Sequence, residues 1–459
     1  MPTVGEIKSQ ALKFFKAKQF AEALPLYKQL WEEHRDECNE WEGWRFAVCL
    51  KHNKEYSEAL KICREVFIIK PTFVNIKGTY AWCIYYTEIS IEKITNESNL
   101  FKAGEGIIKL SKQEDKSVKK ENDFPCVYTL SVFKILEYLN DKAIYNPEKI
   151  IYWTDKLNPN FLENIPFVTT DNEGKERELA PQKEKWFALR AKALVTNGQF
   201  DDCISLSEQA LNTLQKFHYD NDIWFKRDIA LSRAGLGEKD LALTELKELL
   251  KRKNEWFIQK EIAEIYKQQN KLEEAINYAV DAALNFGDAD KKLNLYKLLA
   301  ELLKSKGKIN EATAHIEFLF QIRKANQWKI DSELSNLLHE FSIDKNKNLD
   351  VKELYRQLKP IWEQLKFGNQ ELLKGTIRTI IAGGKAGFVD TENRKSYFFS
   401  SMSFKGKREL MQQGQKVTFF LEDGFDKKKN QPTKVAINIK PTRVFTSCHL
   451  NQTLFKSCF

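Results

Sequence analysis

Six small residues, Ala23, Ala59, Cys203, Ala242, Ala275 and Ala312, each follow a turn signal and open a helical pattern. Ala23 and Ala59 lie 36 residues apart, and the later four are separated by 39, 33 and 37. A period in the mid-thirties built from helix pairs restricts the fold to a solenoid, because one pair buries its apolar face only by stacking on the next. The 459 residues therefore read as one long array with an appended module.

Composition agrees with that frame. A 42% hydrophobic content supports continuous burial, and 30% charged residues suit a helical protein in water. No apolar run reaches the roughly 18 residues that would span a bilayer, and the start MPTVGEIKSQALKFF lacks the charged and apolar regions of a signal peptide. A cytoplasmic location is expected. The eight cysteines, Cys38, Cys49, Cys63, Cys83, Cys126, Cys203, Cys448 and Cys458, form no CxxC pair, and most fall on apolar helix faces, as buried thiols in a reducing compartment would.

The repeats resemble the tetratricopeptide (TPR) family. Ile262, Ala263 and Tyr266 occupy a first helix, and Leu272, Ala275, Ala279 and Ala282 a second, with Ala263 and Ala275 allowing the two to cross closely. The same set recurs as Leu299, Ala300, Leu303, Gly307, Ile309 and Ala312, and as Ala191, Leu194, Gly198, Phe200, Cys203 and Ala210. Near the start it is met by Ala11, Phe14, Phe20, Ala23, Tyr27 and Leu30, then by Ala47, Leu50, Tyr56, Ala59, Val66 and Pro71. The signature is lost between about 75 and 180, where Tyr80–Ile89 and Phe124–Leu139 read as first helices and Pro147–Leu157 as a second. Residues 161–180 read as a long loop or short hairpin inserted in the array. After Ala325, helices are expected over Trp328–Phe341 and Val351–Leu365. Their join, DKNKNLD at 344–350, superficially resembles a calcium loop, but Leu349 and Tyr355 stand where Gly and a bidentate Glu are needed, so it reads as a polar turn.

From Leu372 the hydrophobic period changes to two, with about five short strands in about 70 residues, the pattern of a small antiparallel barrel. This part is also basic. From Glu371 onward there are 16 Lys and Arg against 7 Asp and Glu, so the last ninety residues hold the chain's whole net charge of +9. A partner with negative charge would be drawn here.

The strings GTIRTIIAGGKAGFV (375–389), SYFFSS (396–401) and LMQQGQKVTFFLED (410–423) resemble a cold-shock domain, a small OB fold that binds single-stranded nucleic acid. If Val389, Tyr397 and Phe399 fill the barrel, strand alternation points Phe388 and Phe398 outward, with Ala386 and Ser400 beside them. The resemblance implies that Phe388 and Phe398 stack on bases. Arg378, Lys385, Arg394 and Lys395 would neutralise phosphates nearby, with Lys405, Lys407, Arg408, Lys416 and the run Lys427–Lys429 adding charge. Thr379, Ala386, Ser400 and Ser401 depart from the family's larger aromatic platform, which implies weaker stacking and greater dependence on charge.

No phosphate-loop, zinc-protease or nucleophile-elbow motif occurs, and AGGKAG lies between strands rather than opening a helix. His34, His52, His218, His315, His339 and His449 are scattered, with His315 read as a packed or surface residue on a second repeat helix. No metal, cofactor or catalytic residue is expected. Trp44, Trp82, Trp186, Trp224 and Trp256 read as interhelical packing, with a few available to a concave groove.

The expected fold is thus mainly α. It comprises a TPR-like helical solenoid over 1–340, a terminal helix or linker over 341–370, an all-β OB or cold-shock-like barrel over 371–441 and a tail over 442–459. The expected function is that of a non-enzymatic adaptor, holding a protein partner in the solenoid groove and single-stranded nucleic acid, RNA rather than DNA, on the barrel. By analogy such an architecture suits a bacterial regulatory or defence complex. The rival is a pure interaction scaffold or sensor subunit, in which the barrel is a docking module and its rings are covered by protein.

Overall fold

Helix pairs joined by tight turns fill most of the chain in the computed structural model, which describes residues 2–92, 94–118, 124–142, 144–171, 174–426, 429 and 431–442. Lys427, Lys428 and the tail residues Cys448, His449 and Cys458 lie outside the described residues. The chain divides into two compact units, Met1–Asn254 and Glu255–Phe459.

The first unit opens with the pairs α1 (Val4–Lys16) and α2 (Phe20–Glu33), then α3 (Glu40–His52) and α4 (Tyr56–Ile69). Capping boxes start α1 and α3: Thr3 with Glu6, and Asn39 with Glu42, satisfy amide groups that a helix start leaves unbonded. Next come α5 (Val74–Ile84), which runs into a π-turn at Tyr85–Ile89, then α6 (Glu97–Leu110), α7 (Val127–Asn140) and α8 (Pro147–Thr154). The 161–180 insertion forms a hairpin of β1 (Phe167–Thr170) and β2 (Glu176–Leu179), with Phe167 opposite Leu179. Two regular pairs complete the unit, α9 (Gln182–Thr196) with α10 (Phe200–Thr213) and α11 (Asn221–Gly235) with α12 (Lys239–Arg252).

The helix crossings behave as the TPR-like spacing requires. Ala11, Ala23, Ala47, Ala59, Ala191, Cys203, Ala230 and Ala242 are wholly buried. Where the signature is lost, a different small residue does the same work. A Cβ on Gly104 of α6 would lie 2.5 Å from Ile135 and 2.7 Å from Trp153, so only glycine lets α7 and α8 pack there. The six cysteines among the described residues are free thiols, all buried except the half-buried Cys38. Trp186 is buried and Trp44, Trp82 and Trp224 half-buried, as interhelical packing requires.

The second unit begins with α13 (Trp256–Gln268) and α14 (Leu272–Leu284), then α15 (Leu293–Ser305) and α16 (Ile309–Ala325). Ala263, Ala275, Ala300 and Ala312 again sit buried at the crossings. After α17 (Ser332–Glu340), the calcium-like string makes the expected polar turn, and its last residue, Asp350, caps the first amides of α18 (Val351–Phe367). The amphipathic α18 packs on α14 and α16 through Leu354, Leu358 and Trp362. Trp362 lies 6.0 Å from Tyr296 in a near-parallel stack and donates its indole N–H to His315 Nε2 at 2.8 Å. His315 Nδ1 in turn lies 2.6 Å from the Glu311 carbonyl, so both ring nitrogens are satisfied by a neutral imidazole. Among the described residues no helix is long and apolar enough to cross a membrane.

The unit ends in a closed barrel of β3 (Leu373–Ile380), β4 (Ala386–Thr391), β5 (Ser396–Ser400), β6 (Lys416–Asp426) and β7 (Gln431–Pro441). Strand order around it is β3-β4-β5-β7-β6. The pairings are antiparallel except β5 with β7, which is parallel, so the barrel is not the purely antiparallel one expected. Alternation fills it with Ile377, Val389, Phe399, Val417, Phe419, Ala436 and Ile439. Gly387 admits the Phe399 ring, which would meet a Cβ there at 2.7 Å. On the outside, Phe420 of β6 stacks on Phe367 of α18 at 4.5 Å with planes 6° apart. Lys440 of β7 pairs with Glu363 at 2.6 Å, and Lys366 sits between Asp281 of α14 at 2.5 Å and Glu422 of β6 at 3.8 Å.

Two stability predictions follow from these particulars. The tight turns inside the regular pairs carry a left-handed residue, which is Gly198, Gly237, Asn270 or Gly307 in the later pairs but Lys18 (φ 58°) and Lys54 (φ 65°) in the first two. Lys54→Gly removes the Cβ clash of that conformation, and about 1 kcal/mol of added stability is expected in urea unfolding. A loss instead would show that the turn is not strained. For His315, burial pushes the pKa down to about 4. The unfolded chain takes up that proton near pH 6.5, so stability is present above about 6.5 and lost as pH falls towards 4, by about 3 kcal/mol for the second unit. Urea midpoints followed by tryptophan fluorescence across that range check this, and His315→Gln should flatten the dependence.

Candidate nucleic-acid interface

The strands β3, β4 and β5 turn one face to solvent, and their register sets which side chains share it. Phe388 lies directly opposite Phe398, Ala386 opposite Ser400 and Asp390 opposite Ser396. Val389 and Phe399 are wholly buried and Tyr397 packs against them, so the outward direction expected for Phe388 and Phe398 holds. The two rings meet edge to face, with centroids 5.7 Å apart and planes at 72°. Phe398 is 39% exposed, a large value for a phenylalanine on a strand, whereas Phe388 is half-buried.

An arginine also lies near the Phe388 ring. The β3–β4 register shifts between Ile377 and Thr379, leaving Arg378 as the extra residue of a bulge, with Thr379 opposite Phe388. The Arg378 guanidinium lies 5.3 Å from the Phe388 ring centroid and its Nε 3.4 Å from Asp390 Oδ1. The remaining cations expected here bracket the rings. Lys385 is exposed before β4, where its carbonyl accepts from the Ser401 amide, and Arg394 and Lys395 are exposed in the turn at the far end of the β4–β5 hairpin. Five or six residues of extended chain put roughly 18 Å between these ends, a span of a few nucleotides.

The structure thus brings Arg378, Phe388 and Phe398 into contact, with Lys385 at one end and Arg394 and Lys395 at the other. Lys405 does not join them. Burial lowers its pKa first, and Lys359 on α18 adds to the effect, so it belongs to the helix-facing side. Two features escaped the sequence reading. Asp390 places a carboxylate on the same face, two residues from Phe388, where alternation alone could have found it. Ile381 and Met402 are exposed beside the Lys385 end, one in a turn and one in a short 3-10 segment where strand alternation gives no guidance.

A second candidate lies in the first unit, between α9 and α11, the first helices of neighbouring pairs. A cavity of about 440 Å³ there has apolar walls including Leu189, Val195 and Leu231, and a polar rim of Lys192, Asn221, Arg227 and Asp228. Its Trp224 is one of the tryptophans that sequence offered to a groove.

Residues 223–360, from α11 into α18, match a family model described as "Domain of unknown function (DUF7017)". No curated protein matches the chain. Among solved structures, a tetratricopeptide repeat protein from Parabacteroides merdae is similar at 11% identity over 74% of this chain and 99% of its own, with a TM-score of 0.29. A structure of nearly identical TPR-like repeats from Podosopora anserina is similar at 16% identity over 40% of this chain and 96% of its own, with a TM-score of 0.27.

Proposed function

We propose that the chain is a non-enzymatic adaptor whose repeats hold a protein partner and whose barrel, an OB fold of the cold-shock kind, holds single-stranded nucleic acid, RNA before DNA. Joining the two sites raises the effective concentration of each ligand near the other even when both affinities are modest.

One observation carries the nucleic-acid half. The barrel uses Phe420, not Phe388 or Phe398, to dock on α18, and so leaves Phe398 exposed, with the half-buried Phe388 beside it and arginine and lysine at the border. A ring face open to water accepts a base, and flanking cations take its phosphates. The closed strand order β3-β4-β5-β7-β6 supports the OB assignment, with β4 and β5 as the second and third strands, the face such barrels use for oligonucleotides. For the protein half, the support is the groove side of α9 and α11, where an apolar cavity with a charged rim suits an anchor side chain of a partner peptide.

Phe398→Ala is expected to weaken binding of a labelled single-stranded oligonucleotide by roughly 1–3 kcal/mol while leaving the salt slope nearly unchanged. Lys385→Ala or Arg394→Ala should instead flatten that slope by about one. Fluorescence anisotropy at several salt concentrations reads both, with thermal melting to confirm folding. Unchanged binding in folded Phe388→Ala/Phe398→Ala protein would remove the rings from the site. For the other half, a pull-down with the full chain should retain its protein partner after nuclease digestion. Loss of every partner on digestion would leave the barrel as the only binding site.

A further inference from the structure

Arg378 stands in a different relation to the rings from the other cations, and the difference is built into β3. The bulge between Ile377 and Thr379 lifts Arg378 out of the regular alternation and lays its guanidinium over Phe388. Asp390 Oδ1 lies 3.4 Å from its Nε, an ion pair without a hydrogen bond, because alternation places Asp390 on the same face two positions beyond Phe388. Lys385, Arg394 and Lys395 are exposed at the ends of the hairpin, so their charge is open to phosphate. Arg378 instead has a carboxylate 3.4 Å from its Nε and an aromatic ring 5.3 Å from its guanidinium carbon.

Resting on the nucleic-acid reading above, we propose that Asp390 and Arg378 form a clasp over Phe388 that an incoming strand must open, so that Asp390 sets the affinity of the face. In the closed state only Phe398 offers an open ring. A base that stacks on Phe388 has to displace the guanidinium, which then swings from a carboxylate partner to a phosphate partner. An arginine is suited to the exchange because its planar fork pairs with either group and its π face stacks on aromatic rings. Opening costs one ion pair to the half-buried Asp390 that lacks a hydrogen bond and one cation–π contact to the half-buried Phe388, each modest, so the clasp tunes affinity without abolishing it.

The test uses the full chain and a fluorescein-labelled twelve-nucleotide oligouridylate, with anisotropy measured at low salt. Asp390→Asn keeps the shape of the side chain but frees Arg378, and affinity is expected to rise roughly three- to tenfold. In an Arg378→Ala background the same substitution should bring little gain, because no clasp remains to be released. Glu392→Gln, which removes an equal charge from the neighbouring turn, should gain less than Asp390→Asn. Equal gains from Asp390→Asn with and without Arg378 would overturn the clasp in favour of simple charge removal, and a loss of affinity would make Asp390 a binding residue. Both of those outcomes leave the nucleic-acid reading standing. Failure of the folded wild type and of every variant to bind RNA or the matching oligothymidylate would overturn the reading and the clasp together.

Discussion

How closely two helices can approach decides this architecture. A helix pair has too little apolar surface to stand alone, and stacking pairs into a continuous core works only if the axes come near enough for side chains to interdigitate. Each crossing therefore needs a residue with almost no side chain, and the buried alanines from Ala11 to Ala312, with Cys203 among them, supply it. Bulky residues such as Tyr27, Phe187 and Tyr296 are buried with them. The constraint explains the period as well, since a small residue must return once per pair.

The barrel obeys a different periodicity and has two outer sides with different work. Towards α18 it presents Phe420, Glu422 and Lys440, which meet a ring and charges of opposite sign. Away from α18 it presents Arg378, Phe388 and Phe398, which meet one another. Both sides carry aromatic residues and lysine or arginine in similar proportion, so composition could not have told them apart.

Much of this was legible because it rests on local rules. Period and small residues located α1 to α4 and α9 to α16, and alternation correctly sent Val389 and Phe399 inward and Phe398 outward. What was hidden depends on tertiary company. The stretch from about 75 to 180 looked irregular because its close contact is made by Gly104 against Trp153, 49 positions apart, rather than by the small residues that mark the regular repeats. The stacking of Phe367 on Phe420 was equally invisible, since nothing in either string names the other. The parallel pairing of β5 with β7 arises from barrel closure, which no single strand encodes. At the candidate site, the rings were readable from alternation, but the Arg378 bulge was not, because a one-residue irregularity leaves no mark in the hydrophobic pattern.

The short join from 368 to 372 is the one place where a swivel between the last helix and the barrel could have been built. The Lys366 bridges to Asp281 and Glu422, with the Phe367 ring flat against Phe420, turn it into a weld. A force applied at β4 and β5 would accordingly pass through the barrel into α18 and onward to Trp362 and His315 in the last repeats of the second unit. Cutting the chain at residue 370 would bare Phe420 to water.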